Sequence, residues 1–183
     1  NIFVLEPSDG ELRAKLLDFG VACSDQTFSG GTMIGTPAYM APEQARGDER
    51  FDRRCDVYSL GATLFELIAG RPPHVGSTPI AMLAKAVSTP AQRLSELVVD
   101  VPVDLDELVA NMLELESTAR PNTDEVRKRL SVLCVDPRLP QIANAIEKQH
   151  ESVHSSVSRL VTTLVALRVA TGAEDRTARV WDI

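Results

Sequence analysis

The chain has 183 residues, 44% hydrophobic and 25% charged, with a formal net charge of −7. That is a globular composition with room for one domain, or one and a fragment, and its acidic balance argues against nonspecific nucleic-acid binding. Three scattered cysteines (Cys23, Cys55, Cys134) lack metal-ligand spacing and fit reduced thiols in a cytoplasmic protein.

The chain begins with Asn1 rather than Met, so it reads as an excerpt whose upstream part lies outside it. No signal peptide is visible. Leu160 to Ala170, the longest apolar candidate, falls short of the roughly 18 residues a membrane span needs. Residues 2–5 and 12–17 flank a turn with Pro7 and Asp9-Gly10, which predicts a β-hairpin with a loop longer than two residues. From Val21 to Gly35 the chain is polar, contains glycine and has no period, so it is read as loop. Apolar residues at 57, 60, 64, 65, 67 and 68 between Asp56 and Ala69, followed by Gly70, Pro72 and Pro73, predict a well-buried helix. Shorter amphipathic helices are predicted over Pro79–Val87 and Leu105–Leu115. Another runs from the Asn122 cap, with Glu125 three positions on, to about Cys134. One more helix is expected between Asp136 and about His150, after Pro140, and the Ser-rich residues 152–158 read as a linker.

The chemistry concentrates between Lys15 and Glu43. Lys15-Leu16-Leu17-Asp18-Phe19-Gly20 is followed by a polar loop and then by Gly35-Thr36-Pro37-Ala38-Tyr39-Met40-Ala41-Pro42-Glu43. Asp-Phe-Gly with Ala-Pro-Glu 23 residues later brackets the activation segment of a protein kinase. The chain therefore resembles a serine/threonine protein kinase, most closely the bacterial enzymes of eukaryotic type. The resemblance spans roughly residues 1–134. It implies a protein kinase-like α+β fold, here a mainly α-helical C-lobe with a small β-hairpin and the N-lobe absent. Residues 135–158 would be a helix and linker, and 159–183 the start of a downstream region.

The resemblance also implies roles for particular residues. Asp18, at the end of an apolar strand and ahead of a permissive glycine, would chelate the Mg²⁺ (or Mn²⁺) that bridges the ATP phosphates, and Asn1 would supply the amide ligand. The 17 residues from Asn1 to Asp18 exceed the usual family spacing by a few, which the Pro7–Gly10 turn could absorb. Phe19 and Gly20 complete the first motif. Asp18 could instead be a strand-end turn aspartate, and Asn1 merely the first residue. Thr36 would sit in the loop that receives the residue after the phosphoacceptor and contact the catalytic aspartate. Tyrosine kinases share a different, Trp-containing sequence here, so the resemblance is to serine/threonine-directed enzymes; the alternative is an ordinary turn threonine. Thr32 occupies the position of an activating phosphate, which adds close to two charges and orders loops against basic residues. Thr27 and Ser29 compete with it, and an unmodified loop is the other reading.

Glu43 would pair with Arg120, which with Pro121 precedes the last C-lobe helix in the family; independent surface charges are the alternative. Asp56 resembles the buried aspartate that holds the catalytic-loop backbone, and it could also cap its helix.

Two further patterns fall outside this reading. His150-Glu151-Ser152-Val153-His154 matches the zinc-protease spacing, with Glu174 as a conceivable third ligand, but its polar, Ser-rich flanks fit a solvated helix end better. Residues 170–183, ending in Trp181-Asp182-Ile183, resemble the closing strands of a WD-repeat as much as a stray tail strand. A true repeat would imply a partner-binding propeller downstream.

The leading expectation is an ATP-dependent protein serine/threonine kinase acting on protein substrates, with no nucleic acid and no membrane segment in this chain. The alternatives are a pseudokinase or scaffold module, against which the intact Asp18 argues, and a linker to a WD-repeat scaffold. The Gly-rich phosphate loop, the ATP-pairing lysine with its helix glutamate, and the catalytic aspartate are absent from these residues. The chain alone is therefore expected to be inactive. It is also expected to aggregate or bind hydrophobic dyes, because an apolar face of the 56–69 helix would lie open to water.

Overall fold

A computed structural model describes residues 2–5, 13–16, 36–48 and 52–133. Strands β1 (Ile2–Leu5) and β2 (Arg13–Leu16) pair antiparallel, with Ile2 opposite Leu16 and Leu5 opposite Arg13. The two paired strands thus stand within the segments 2–5 and 12–17 that alternation assigns to a hairpin.

Helix α1 (Pro42–Arg46) was not foreseen. At five residues it is too short to show a period, yet its ends are specified locally. Pro42 opens it, where a missing N–H costs nothing, and the Gln44 side chain accepts from the Ala41 N–H at 3.1 Å. Gly47 closes it at φ 74°, a left-handed backbone that glycine adopts freely. A 3₁₀ turn, Pro37–Tyr39, precedes it.

Helix α2 (Arg54–Ala69) is the central element. It starts two residues before the predicted Asp56: Arg53 stands at the cap position, and Asp52 just ahead of it accepts from the Arg54 N–H through Oδ1 at 2.8 Å. Asp56 lies inside the first turn and is not the cap. Gly70 ends the helix at φ 73°, its N–H donating to the Glu66 carbonyl at 2.7 Å. Helix α3 (Pro79–Ser88) begins with Thr78 Oγ1 accepting from the Ala81 N–H at 3.1 Å. Helix α4 (Val103–Met112) runs earlier than the predicted 105–115, and a 3₁₀ turn at Ser117–Ala119 follows it. Helix α5 (Thr123–Leu133) carries the predicted cap: Asn122 Oδ1 accepts from the Glu125 N–H at 2.9 Å. The expected helix at 136–150, the linker, the His150–His154 pattern and the tail at 170–183 lie outside the described residues.

The core forms where α2 meets α4. Phe65, Ala62, Leu108 and Met112 are each fully enclosed, and Val126, Leu130 and Leu133 of α5 join them. The close approach has one cause: a Cβ at Gly61 would lie 2.8 Å from Met112 Cβ, so only glycine lets the two helices pack this tightly. The large exposed apolar residues among those described are Val75, Ile80, Val99, Val103 and Val132, none of them on α2. The open face expected on that helix is therefore covered, since α4 and the 3₁₀ turns at Pro37–Tyr39, Leu94–Glu96 and Ser117–Ala119 pack on it.

The loop between α3 and α4 is pinned by Asp106, which is buried on α4. Its Oδ2 accepts from Ser95 Oγ at 2.8 Å and Arg93 Nε at 3.0 Å, and its Oδ1 from the Ser95 N–H at 3.3 Å. Burial alone would raise this carboxyl, but the bonds from Ser95 and Arg93 outweigh it and hold the group below 3.8.

Two outcomes are expected. Gly61→Ala should lower stability by about 1–3 kcal/mol despite alanine's better helix propensity, because Met112 Cβ cannot swing aside; thermal melting reads this as a drop of several degrees. Asp106→Asn should cost about 1–2 kcal/mol at neutral pH. A carboxylate held low contributes fully above the unfolded value and loses that contribution as pH falls through the folded one. The gap between parent and variant in urea titrations should therefore close in acid.

Candidate functional site

Glu43, in the first turn of α1, and Arg120, ahead of α5, meet across 77 residues of chain. Arg120 Nη1 donates to Glu43 Oε1 at 2.6 Å and Nη2 to Oε2 at 2.8 Å, an end-on bidentate pair. Arg120's side chain has no exposed surface and Glu43's keeps 8%. The other three N–H groups of the guanidinium reach the carbonyls of Glu114 (2.8 Å), Arg54 (3.0 Å) and Leu115 (3.2 Å). All five donors are thus satisfied, and the guanidinium carbon lies 5.0 Å from the centre of the Tyr58 ring. One buried cation joins α1, the start of α2 and the α4–α5 connection.

The segment ahead of α1 is fixed from the other side. Ser59 Oγ of α2 donates to the Tyr39 carbonyl at 2.8 Å, and the Tyr39 N–H donates to the Thr36 carbonyl at 3.1 Å. Thr36 is exposed at the head of the turn, and its hydroxyl is not spent on capping it. Burial, with the Glu66 carboxylate beside it, pushes the Tyr39 phenol up to about 12. Glu66 Oε2 is itself buried and has no partner among the described residues. Glu66 was missed in the sequence, where the only signal is a lone carboxylate inside a wide apolar helical face.

Asp56 is half-buried at the start of α2, and burial pushes its carboxyl up from 3.8. The neighbouring Cys55 Sγ donates to its Oδ1 at 3.8 Å. Burial first, then the Asp56 carboxylate, push that thiol up to about 12, which makes it a poor nucleophile. The structure therefore brings Glu43 and Arg120 together, places Asp56 on the same helix start that Arg120 grips, and leaves Thr36 accessible. Asn1, Asp18, Phe19, Gly20 and Thr32 lie outside the described residues. Among the described residues no cluster of His, Cys, Asp or Glu could hold a metal ion, and no helix is long and apolar enough to cross a membrane.

A helical core around α2, with an Ala-Pro-Glu helix clamped by a buried arginine, defines a protein kinase C-lobe. The protein kinase domain model matches residues 1–130, and the chain belongs to that family. It is 41% identical over 103 residues to the serine/threonine-protein kinase PknB of Mycobacterium leprae, covering 54% of this chain and 16% of that protein. It is 39% identical over 111 residues to PknL of Mycobacterium tuberculosis (58% and 27%), and 38% over 113 residues to the DNA damage-responsive kinase RqkA of Deinococcus radiodurans (60% and 17%). The chain thus spans between 16% and 27% of the length of these relatives.

The clamp sets a measurable expectation. Glu43→Gln or Arg120→Met should each destabilise the domain by about 3–5 kcal/mol, because the surviving partner stays buried. The double variant should cost less than the sum, read as the coupling energy of a double-mutant cycle in urea. Arg120→Lys should not rescue, since an ammonium cannot fill the five-donor fork.

Proposed function

We propose that the full-length protein of which this chain is a part transfers the γ-phosphoryl group of ATP to serine or threonine hydroxyls of protein substrates. The observation that carries this reading is the buried Glu43–Arg120 clamp. It holds the Ala41-Pro42-Glu43 end of the activation segment against α2 while Thr36 stays exposed a few residues ahead. A segment that must present an acceptor hydroxyl needs a rigid base and an accessible rim, and this arrangement supplies both. The naming of the relatives as serine/threonine kinases supports the choice of acceptor.

In this reading Asp18 and Asn1 hold Mg²⁺ or Mn²⁺ with the nucleotide. A carboxylate and an amide oxygen are the hard donors such a cation takes, and the metal supplies neutralisation of phosphate charge. Thr36 aligns the acceptor. Asp56 orders the backbone of the catalytic loop. Thr32 is the regulatory phosphosite, its dianion ordering the loop against basic residues. The protein substrate binds in the cytoplasm against the Thr36–Met40 rim.

The test uses the full-length protein beside its Asp18→Ala variant, each incubated with labelled ATP and Mg²⁺ and mapped by mass spectrometry. Metal-dependent labelling of Thr32 or its neighbours, lost in the variant, is expected. A folded parent that labels neither itself nor a generic basic substrate would instead mark a pseudokinase or scaffold.

A further inference from the structure

Beyond Gly70 the chain passes Pro72 and Pro73, buries His74 to 7% exposure and enters α3. The segment is fastened to the helix it precedes. Lys85 Nζ donates to the Val75 carbonyl at 2.7 Å. Gly76 lies so close to the helix backbone that a Cβ there would sit 2.5 Å from the Met82 nitrogen. Of the ten residues of the helix, only Leu83 and Ala86 are buried. It packs on α1 and on the Pro37–Tyr39 turn.

His74 is the polar member of this junction. Its Nε2 is buried and has no hydrogen-bond partner among the described residues. A neutral imidazole can place its bare nitrogen there, and an unsatisfied acceptor is the cheaper defect. An imidazolium carries N–H at both nitrogens, so protonation would force a buried donor into a position with no acceptor. The charged and titratable groups on its own segment, on α3 and on the elements packed against α3 offer no relief. Arg71 precedes His74 on its own segment and Lys85 stands on α3. On α1, Glu43 is committed to Arg120, and Arg46 lies 3.8 Å from Asp48. Tyr39 and Glu66 face each other at the turn. No described carboxylate pairs with the imidazole, and the charge that acts on it is the Lys85 ammonium.

We propose that His74 is an acid-sensitive latch, whose protonation releases α3 from α1 and from the Pro37–Tyr39 turn. Burial first, and then Lys85, hold the imidazole below its usual 6.5. A histidine held low favours the closed form fully above the open-state value and withdraws that support as pH falls through the closed-state one. The latch itself does not depend on the chemistry proposed above. Its consequence does, since the turn it releases is the rim assigned to the protein substrate.

Hydrogen exchange in the full-length protein tests the latch without reading phosphorylation, so a failure of the kinase reading leaves it standing. Between about pH 7.5 and about pH 5.5, corrected for intrinsic rates, protection over residues 79–88 should fall by up to about tenfold. Protection over 103–112 should hold, and His74→Phe should reduce the α3 response to less than about twofold. An equal response in parent and variant, or none in the parent, would overturn the proposal. Should His74→Phe misfold, NMR of the parent with labelled histidine decides. A resonance titrating below 6.5 together with the loss of α3 protection supports the latch, and one titrating at or above 6.5 sinks it.

Discussion

The described structure depends on one buried guanidinium. Desolvating Arg120 is costly, and the molecule offsets that cost by giving every N–H an oxygen and stacking the plane near Tyr58. Because those oxygens come from α1, the start of α2 and the α4–α5 connection, the same residue fixes three places that packing alone would leave free to slide. Hydrophobic burial around Phe65, Leu108 and Met112 makes the helices cohere. The directional bonds decide where the activation-segment end of the chain comes to rest.

The division between what could be read in the residues and what could not follows the range of the interactions. Helices α2, α3 and α5 are legible because each carries its own periodicity and stop or cap signals, Asn122 for α5 and Gly70 for α2 among them. The start of α2 differs from the expected Asp56 because two aspartates lie four residues apart. Asp52, outside the helix, can bend back to the Arg54 N–H, whereas Asp56 lies within the first turn. Helix α1 escapes periodicity altogether, being little more than one turn. The Glu43–Arg120 pair was reached only through family resemblance, since nothing local ties residues so far apart. The Asp106 junction and the orphaned Glu66 oxygen gave no sequence signal, because both depend on which helix faces which loop.

The polar interior divides into two kinds. At Arg120 and Asp106 every demand the geometry makes is met, and such groups rigidify the fold. At Tyr58, Glu66 and His74 a buried polar atom stands without a partner among the described residues. Glu66 stands beside Tyr39 of the turn, and His74 just ahead of α3.

The clamp also has a consequence in time. During synthesis Glu43 leaves the ribosome 77 residues before its partner, an interval of roughly 4–15 s at about 5–20 residues per second. Throughout it, a five-residue helix has neither the length nor the counterion to persist. The segment that ends at Ala41-Pro42-Glu43 therefore takes its final place as one of the last events of domain assembly, once α2 and α4 have already emerged. Vectorial synthesis thus delays the proposed catalytic edge until the α2 and α4 helices that support it have been made.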